Sequence, residues 1–556
     1  MTTALLDIRE LSIPLPAGAD RALAVDGLSL SVEPGEVLCV VGASGSGKSM
    51  LANAILRLLP AGLAPSAGSI HLCGQDLARL SEAGMRQLRG KDLGMVFQEP
   101  MSALNPLQRI GEQIDETLRA HGVKDRAQRR QRVLELLAYV GLPDPPSLVR
   151  AYPFELSGGQ RQRVVIAIAL ALEPALLIAD EPTSALDVST QAQILDLLRR
   201  IRREKGMAVL LITHDFAVVE AIGDRVLVME HGRVVEQGAL RTVLDQPRHD
   251  YTRRLLDAAA LPQRRPRPAV STTPLLRVEG LGKTYRSRQG WWRQREVSAL
   301  ADASLSLAAG ESLGIVGESG SGKTTLGRAL VRLLRPDRGA IHLSTREAAG
   351  ERDIAQLSQG ALRELRSEFQ MIFQDPQASL NPRQRIGATL MAGPLAHGVP
   401  RAEAERRARE LLQQVGLPAS AFERYPREFS GGQRQRIGIA RALAVQPRWL
   451  VADECVSALD ALVQQQVLEL LEDLQQRLGL GLLFITHDLR VAARLCDRLL
   501  VMQGGRIVES GPTAQVLGNP EHPYTRRLLA ALPGAVSPTP APRRVAAALG
   551  HSPGER

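Results

Sequence analysis

Short apolar runs recur along the chain, and each stops at a residue able to do chemistry. EVLCVVG (Glu36 to Gly42) is apolar over five consecutive positions and ends at a glycine-rich loop, with a helical pattern resuming near Lys48. ALLIAD (Ala175 to Asp180) and WLVAD (Trp449 to Asp453) end at acids, while AVLLITHD and GLLFITHD reach His214 and His487. Unbroken runs this short predict strands buried on both faces rather than alternating ones. Strand ends that all deliver polar groups predict an α/β sheet, whose ligands sit beyond the carboxyl ends of its strands. The stretch between Gln98 and Ser157 has a helical pattern and is predicted to be an inserted helical subdomain.

The same series of runs occurs twice. GASGSGKS begins at Gly42 and GESGSGKT at Gly317; LSGGQRQR and FSGGQRQR place Ser157 and Ser430. Equivalent residues in the two series stay 273 to 276 positions apart. So steady an offset means two copies of one domain with insertions confined to loops. The expected layout is a first domain at 1–261, a linker at 262–274, a second domain at 275–532 and a disordered tail at 533–556. LPQRRPRPAVSTTP (Leu261 to Pro274) lacks an apolar period and is rich in Pro and Arg. Extended, such a linker reaches roughly 40 Å, enough for the halves to dock face to face.

Composition changes this picture little. The 556 residues are 44% hydrophobic and 23% charged, as in a soluble globular chain. The run VVIAIALAL (Val164 to Leu172) stops at Glu173, far short of the 18–20 or so residues a membrane span needs. The N-terminus shows no secretory signal. Four scattered cysteines without a C-x-x-C pair argue against a zinc or iron–sulfur site and for a reducing, cytoplasmic setting. The net charge of +10 fits nucleic acid or anionic lipid, but an Arg-rich composition explains it more simply. Only six of the 69 basic residues are lysines, and two of these are Lys48 and Lys323 of the glycine loops. A chain that uses Arg almost everywhere keeps Lys where a planar guanidinium would not serve.

Both glycine loops match G-x-x-x-x-G-K-[ST] in full, after a strand and before a helix. Gly42, Ser44, Gly45 and Gly47, with Gly317, Ser319, Gly320 and Gly322, let backbone N–H groups cradle phosphates. Lys48 and Lys323 are expected on the β- and γ-phosphates, and the hydroxyls of Ser49 and Thr324 on Mg²⁺. Asp180 and Asp453 are placed to hold the metal, and Glu181 and Glu454 to act as general bases for water. Gln98 and Gln374 are expected to touch both metal and water, and His214 and His487 the γ-phosphate.

Phosphate loop, Gln, SGGQ, Asp–Glu, SALD and His, in that order in both halves, resemble the ATP-binding subunits of ABC transporters. The resemblance spans the whole chain up to the tail. It implies two tandem P-loop ABC-type nucleotide-binding domains, each with a RecA-like core, an antiparallel β subdomain and a helical subdomain. It further implies head-to-tail pairing of the halves, each ATP lying between one phosphate loop and the other half's SGGQ. Ser157, Gly158, Gly159 and Gln160 would thus complete the second site, and Ser430, Gly431, Gly432 and Gln433 the first. Asp187 and Asp460 would cross-link the two. SALNP (Ser102 to Pro106), SLNP (Ser379 to Pro382), HDYTRRLL and HPYTRRLL resemble the oligopeptide/dipeptide importer group.

That group implies an energy-coupling ATPase, peripheral at the cytoplasmic face of a bacterial inner membrane. Its substrates would be peptides or related solutes, including nickel or metallophore complexes, opines and glutathione. Two transmembrane permease subunits and, through them, an extracytoplasmic solute-binding protein would be its partners, with no nucleic acid. The alternative is a soluble tandem ATPase acting on ribosomes or nucleic acid. It would carry a long charged linker or base-stacking aromatics, and the chain is only 3% aromatic.

The halves differ at a few places. Tyr285 fits the family's adenine-stacking aromatic, and Leu15 stands there in the first half, which predicts weaker stacking by about 1 kcal/mol. Trp291 and Trp292 lie in an insertion of the second half, read as loop packing or a contact with the membrane or permease. ADECVSALD carries Cys455 where ADEPTSALD has Pro182. Its nearness to Glu454 raises the expectation that thiol reagents inhibit ATP hydrolysis.

Overall fold

The apolar runs form the strands expected of them. In the computed structural model Val37–Val41, Leu176–Asp180 and Ala208–Ile212 are strands with every residue buried, as are Ser312–Val316, Trp449–Asp453 and Gly481–Ile485 in the second half. The structure describes residues 4–16, 21–184, 186–260, 274–289, 293–346, 350–457 and 459–532. Trp291, Trp292, all but the last residue of the expected linker at 262–274, and the expected tail at 533–556 lie outside the described residues.

In the first half the main sheet runs, edge to edge, Arg233–Ala239, Arg225–Glu230, Val37–Val41, Ala208–Ile212, Leu176–Asp180 and Leu93–Val96. All neighbours are parallel except the Arg233–Ala239 edge strand. The second half repeats this with Arg506–Pro512, Arg498–Gln503, Ser312–Val316, Gly481–Ile485, Trp449–Asp453 and Phe369–Ile372. A strand buried on both faces needs cover on both. One cover is an antiparallel sheet, Leu23–Val32, Leu6–Pro14, Ala67–Leu72 and Gln75–Asp76, which closes a core around Leu6, Ile8, Leu38 and Ile178 with the helix Lys48–Ile55. The equivalent sheet of the second half joins its main sheet through Asp302 and Arg506.

The other cover is helical. Ile110, Ile114 and Leu118 stand one turn apart on the helix Ile110–Ala120, and all three are buried. They share a core with Leu136 and Leu137 of the helix Arg126–Tyr139 and with Val164 and Ile166 of the helix Gly158–Ala169. That last helix begins at the SGGQ stretch, so the helical layer holds its N-terminus in place.

Candidate active site

Each phosphate loop leaves the end of a buried strand and enters a helix at its lysine. Lys48 Nζ donates to the carbonyls of Gly42 and Ala43, both at 2.9 Å, and Lys323 to those of Gly317 and Glu318 at 2.7 and 2.8 Å. Burial lowers both lysine pKa values, and the acids around them, Glu181 and Asp180 or Glu454 and Asp453 among them, offset part of that shift. Each ammonium is therefore held by carbonyls and acids inside a loop shaped for an anion.

Asp180 and Asp453 close their strands beside the hydroxyls that follow the lysines. Thr324 Oγ1 donates to Asp453 Oδ1 at 3.1 Å, and Ser49 bonds Asp180. Burial raises both carboxyl pKa values, with the adjacent glutamate adding to it; for Asp453 the result is about 6. Asp180 Oδ1 is buried with no hydrogen-bond partner. A carboxylate pushed up by desolvation, with an orphaned oxygen beside a hydroxyl, is a donor set suited to a hard cation such as Mg²⁺.

The next residue carries the strain of the site. Glu181 has φ 46° and Glu454 φ 45°, left-handed values that a non-glycine residue adopts at a cost of about 1–3 kcal/mol. The turn is pinned because Glu181 N–H donates to Ile212 at 2.8 Å and Glu454 N–H to Ile485 at 2.9 Å. It lets each carboxylate meet groups from two neighbouring strand ends. Gln98 Nε2 donates to Glu181 Oε2 at 2.9 Å, and Gln374 Nε2 to Glu454 Oε2 at 2.8 Å. His214 Nδ1 lies 3.1 Å from Glu181 Oε1, and His487 Nδ1 3.6 Å from Glu454 Oε1. Burial alone would raise the glutamate pKa values, but the histidine and lysine at each site outweigh it and hold both below the usual range. The histidines are raised despite burial by the same carboxylates. Each glutamate is thus ionised near neutrality, as a base toward water must be.

At the SGGQ stretches Ser157 and Ser430 cap their helices. Ser157 Oγ accepts the Gln160 N–H at 3.3 Å while Gln160 Oε1 accepts the Ser157 N–H at 3.0 Å, and Ser430 and Gln433 repeat both bonds. The glutamine side chains are thereby turned onto their own serines. A Cβ on Gly159 would stand 2.3 Å from Thr190 Cγ2, and one on Gly432 2.3 Å from Val463 Cγ1, so the second glycine of each signature permits a close approach.

Contacts also run between the halves. Asp460 Oδ1 caps its own helix through the Val463 N–H at 3.1 Å, while its Oδ2 accepts the N–H of Ser44 in the other phosphate loop at 3.1 Å. Asp187 does otherwise: both its oxygens are engaged by Thr190, whose hydroxyl Val463 lacks. The second phosphate loop is reached instead by Ser189, whose hydroxyl donates to Glu318 Oε1 at 2.6 Å. Arg490 bonds Asp488 at 3.1 Å and approaches Asp215 of the first half at 3.6 Å.

Sequence reading missed Arg490 and Ser189, since nothing local distinguishes them. It also passed over Tyr251 and Tyr524, whose hydroxyls accept N–H groups of the two phosphate loops. A signal existed there, the repeated YTRRLL. Tyr285 is 45% exposed, whereas Leu15 packs against the first half's core.

Cys455 is fully buried among apolar side chains, and desolvation pushes its thiol up to about 12. A thiol so raised carries little of the reactive thiolate at pH 8, which argues against thiol sensitivity through this residue. N-ethylmaleimide at pH 8 should label the exposed Cys73 and leave Cys455 unmodified in the folded chain, with ATP hydrolysis unchanged in a Cys73→Ser background. Peptide mass mapping of the labelled protein checks this.

The chain matches the family described as ABC transporter over residues 25–184 and 300–457. It matches the oligopeptide/dipeptide transporter C-terminal region over 235–288 and 508–553. It is 46% identical over 537 residues to the peptidoglycan transport ATP-binding protein YejF of Agrobacterium fabrum, covering 95% of this chain and 96% of that one. It is 44% identical over 579 residues to the glutathione import ATP-binding protein GsiA of Escherichia coli O157:H7, covering 97% and 91%. A solved dimeric ATP-binding cassette in a post-hydrolysis state, bound to ADP and Pi, is 32% identical over 42% of this chain and 99% of its own, with a TM-score of 0.39.

Proposed function

Because the chain belongs to the ABC transporter family, as a tandem ATPase with the oligopeptide/dipeptide C-terminal region in each half, we propose that it drives import of peptides or peptide-like solutes. The observation that carries this reading is that second region, present in both halves beside a complete set of hydrolytic residues. Glutathione, named for one relative, is a tripeptide, and peptidoglycan, named for another, bears peptide stems on its glycan strands. Its partners are two permease subunits and a solute-binding protein, and it works from the cytoplasmic face of the inner membrane. Among the described residues no helix is long and apolar enough to cross a membrane.

In this reading each ATP lies between one half's phosphate loop and the other half's signature helix. Three features support it: the capped helix starts with exposed serines, the Ser44–Asp460 bond, and the Ser189–Glu318 bond. Lys48 or Lys323 turns from the loop carbonyls to the phosphates, and the helix N-terminus adds its dipole. Glu181 or Glu454 takes a proton from the attacking water, while its partner His holds the carboxylate's other oxygen. Gln98 and Gln374 fix the remaining carboxylate oxygen and tie it to the helical layer. Ser49 and Asp180, or Thr324 and Asp453, with Gln98 or Gln374, would hold Mg²⁺, which would supply charge to offset the phosphates.

Co-purification from detergent-solubilised membranes tests the importer reading. Permease subunits recovered with the chain support it, and ribosomes recovered without permease overturn it. The metal assignment has its own test in Asp453. A carboxyl raised from 3.8 to about 6 opposes folding once ionised, so that cost is absent below about pH 4 and complete above about pH 6. Asp453→Asn should therefore stabilise the nucleotide-free chain at pH 7.5, by about 3 kcal/mol at most, and not at pH 4. The same variant should abolish the added thermal stability that Mg–ATP gives to the second site. Calorimetry at the two pH values, with and without Mg–ATP, reads both effects.

A further inference from the structure

Both halves end on the same stretch, HDYTRRLL and HPYTRRLL, and the hydrolytic chemistry above makes no use of it. Each copy folds as a turn leading into a helix, Asp250–Ala260 and Pro523–Ala530. The turn is gripped from the last strand of the sheet. Glu236 accepts the N–H groups of Arg248 and His249 at 2.8 and 3.1 Å, and Glu509 those of Glu521 and His522 at the same distances. The imidazole then starts the helix: His249 Nδ1 accepts the Tyr251 N–H at 3.2 Å, and His522 Nδ1 the Tyr524 N–H at 3.2 Å. These bonds aim one phenol in each half at the phosphate loop. Tyr251 and Tyr524 are 4% and 3% exposed, and their hydroxyls accept the N–H of Ala43 at 2.8 Å and of Glu318 at 2.9 Å.

Ala43 and Glu318 are the second residues of their loops, and their carbonyls hold the loop lysines. The loop lysines have a further N–H to turn toward phosphate, whereas each phenol accepts a loop amide and competes for no phosphate oxygen. In the first half the next amide, Ser44 N–H, goes to Asp460 of the other half. The helix carrying Tyr251 also packs on the helix Ala461–Leu478 that Asp460 caps. Consecutive amides of the first loop are thus held by the turn that ends the first half and by the opposite half.

We propose that Tyr251 and Tyr524 are positioning residues for ATP, each fixing the first turn of a phosphate loop through its hydroxyl. Removing the hydroxyl leaves a part-buried N–H without that partner in a loop that must present its neighbours to phosphate.

The test is Tyr251→Phe/Tyr524→Phe in the full chain, with the two single variants in case the double variant fails to fold. Equilibrium binding of the fluorescent analogue TNP-ATP and steady-state hydrolysis are read together. The dissociation constant and KM should rise about tenfold, with kcat within about twofold and faster hydrogen exchange at the amides of residues 43 and 318. Leu255→Ala, a core change in the same helix as Tyr251, is the control. It should lower the melting temperature and leave nucleotide affinity unchanged. Unchanged affinity in the tyrosine variants overturns the proposal. So does an affinity loss that tracks melting temperature equally in Leu255→Ala, because the phenols would then only be packing the helix.

Discussion

Glu181→Gln and Glu454→Gln, each made alone in the full chain, should lower ATP turnover by two to four orders of magnitude at the altered site. The substitution is nearly isosteric, so the strained turn and its bonds to Ile212 or Ile485 survive. What is lost is the negative charge that the neighbouring histidine and lysine hold ionised. The amide cannot accept a proton from water, yet nucleotide binding, which rests on the phosphate loop, should remain. Single-turnover hydrolysis alongside nucleotide binding separates the two. The halves present the same geometry around the base, with His487 half an ångström further from its glutamate than His214. Neither variant is therefore expected to be silent. Turnover left nearly intact in Glu454→Gln would mean that the second half carries the residues of a base without using them.

Gly47→Ala and Gly322→Ala should be nearly as damaging, by a different route. These glycines have φ of 105° and 102°, a conformation closed to side chains, and a Cβ on either would lie 2.4 Å from a backbone carbonyl, that of Ala24 or Ala299. A carbonyl within a sheet cannot retreat as a flexible side chain can. Strain and overlap together should cost on the order of 3 kcal/mol or more and abolish binding at that loop. Gly45→Ala and Gly320→Ala are the fair comparison. Their φ values, 78° and 81°, are also left-handed, but nothing stands within 4 Å of the added atom. Only the backbone term of about 1 kcal/mol applies to them. Melting temperatures and TNP-ATP affinities of the four variants should therefore fall into two groups.

Much of the site was legible before any coordinates, because its chemistry sits at the ends of apolar runs. A run such as Leu176–Asp180 announces its strand by composition, and the residue after the run is then at the sheet's carboxyl edge by construction. What escaped is what depends on approach in space. No local pattern says that Glu181 turns left-handed, because the cause lies in Ile212 on the neighbouring strand. Tyr251 was visible only as a repeated word, since its partner Ala43 is some two hundred residues away. Cys455 drew notice through its neighbour Glu454, whereas the burial that desolvates its thiol comes from core residues distant in sequence.

The two caps that follow the SALD stretches show what tandem connection permits. Thr190 occupies both oxygens of Asp187, and Val463 leaves Asp460 free to reach across. In a dimer of identical chains every contact across the twofold axis is isologous, so one substitution alters both sides together. With the halves joined in one polypeptide, that constraint lapses. A hydroxyl gained on one side can be answered by a methyl on the other, and the two junctions can drift in affinity and timing as separate traits under selection.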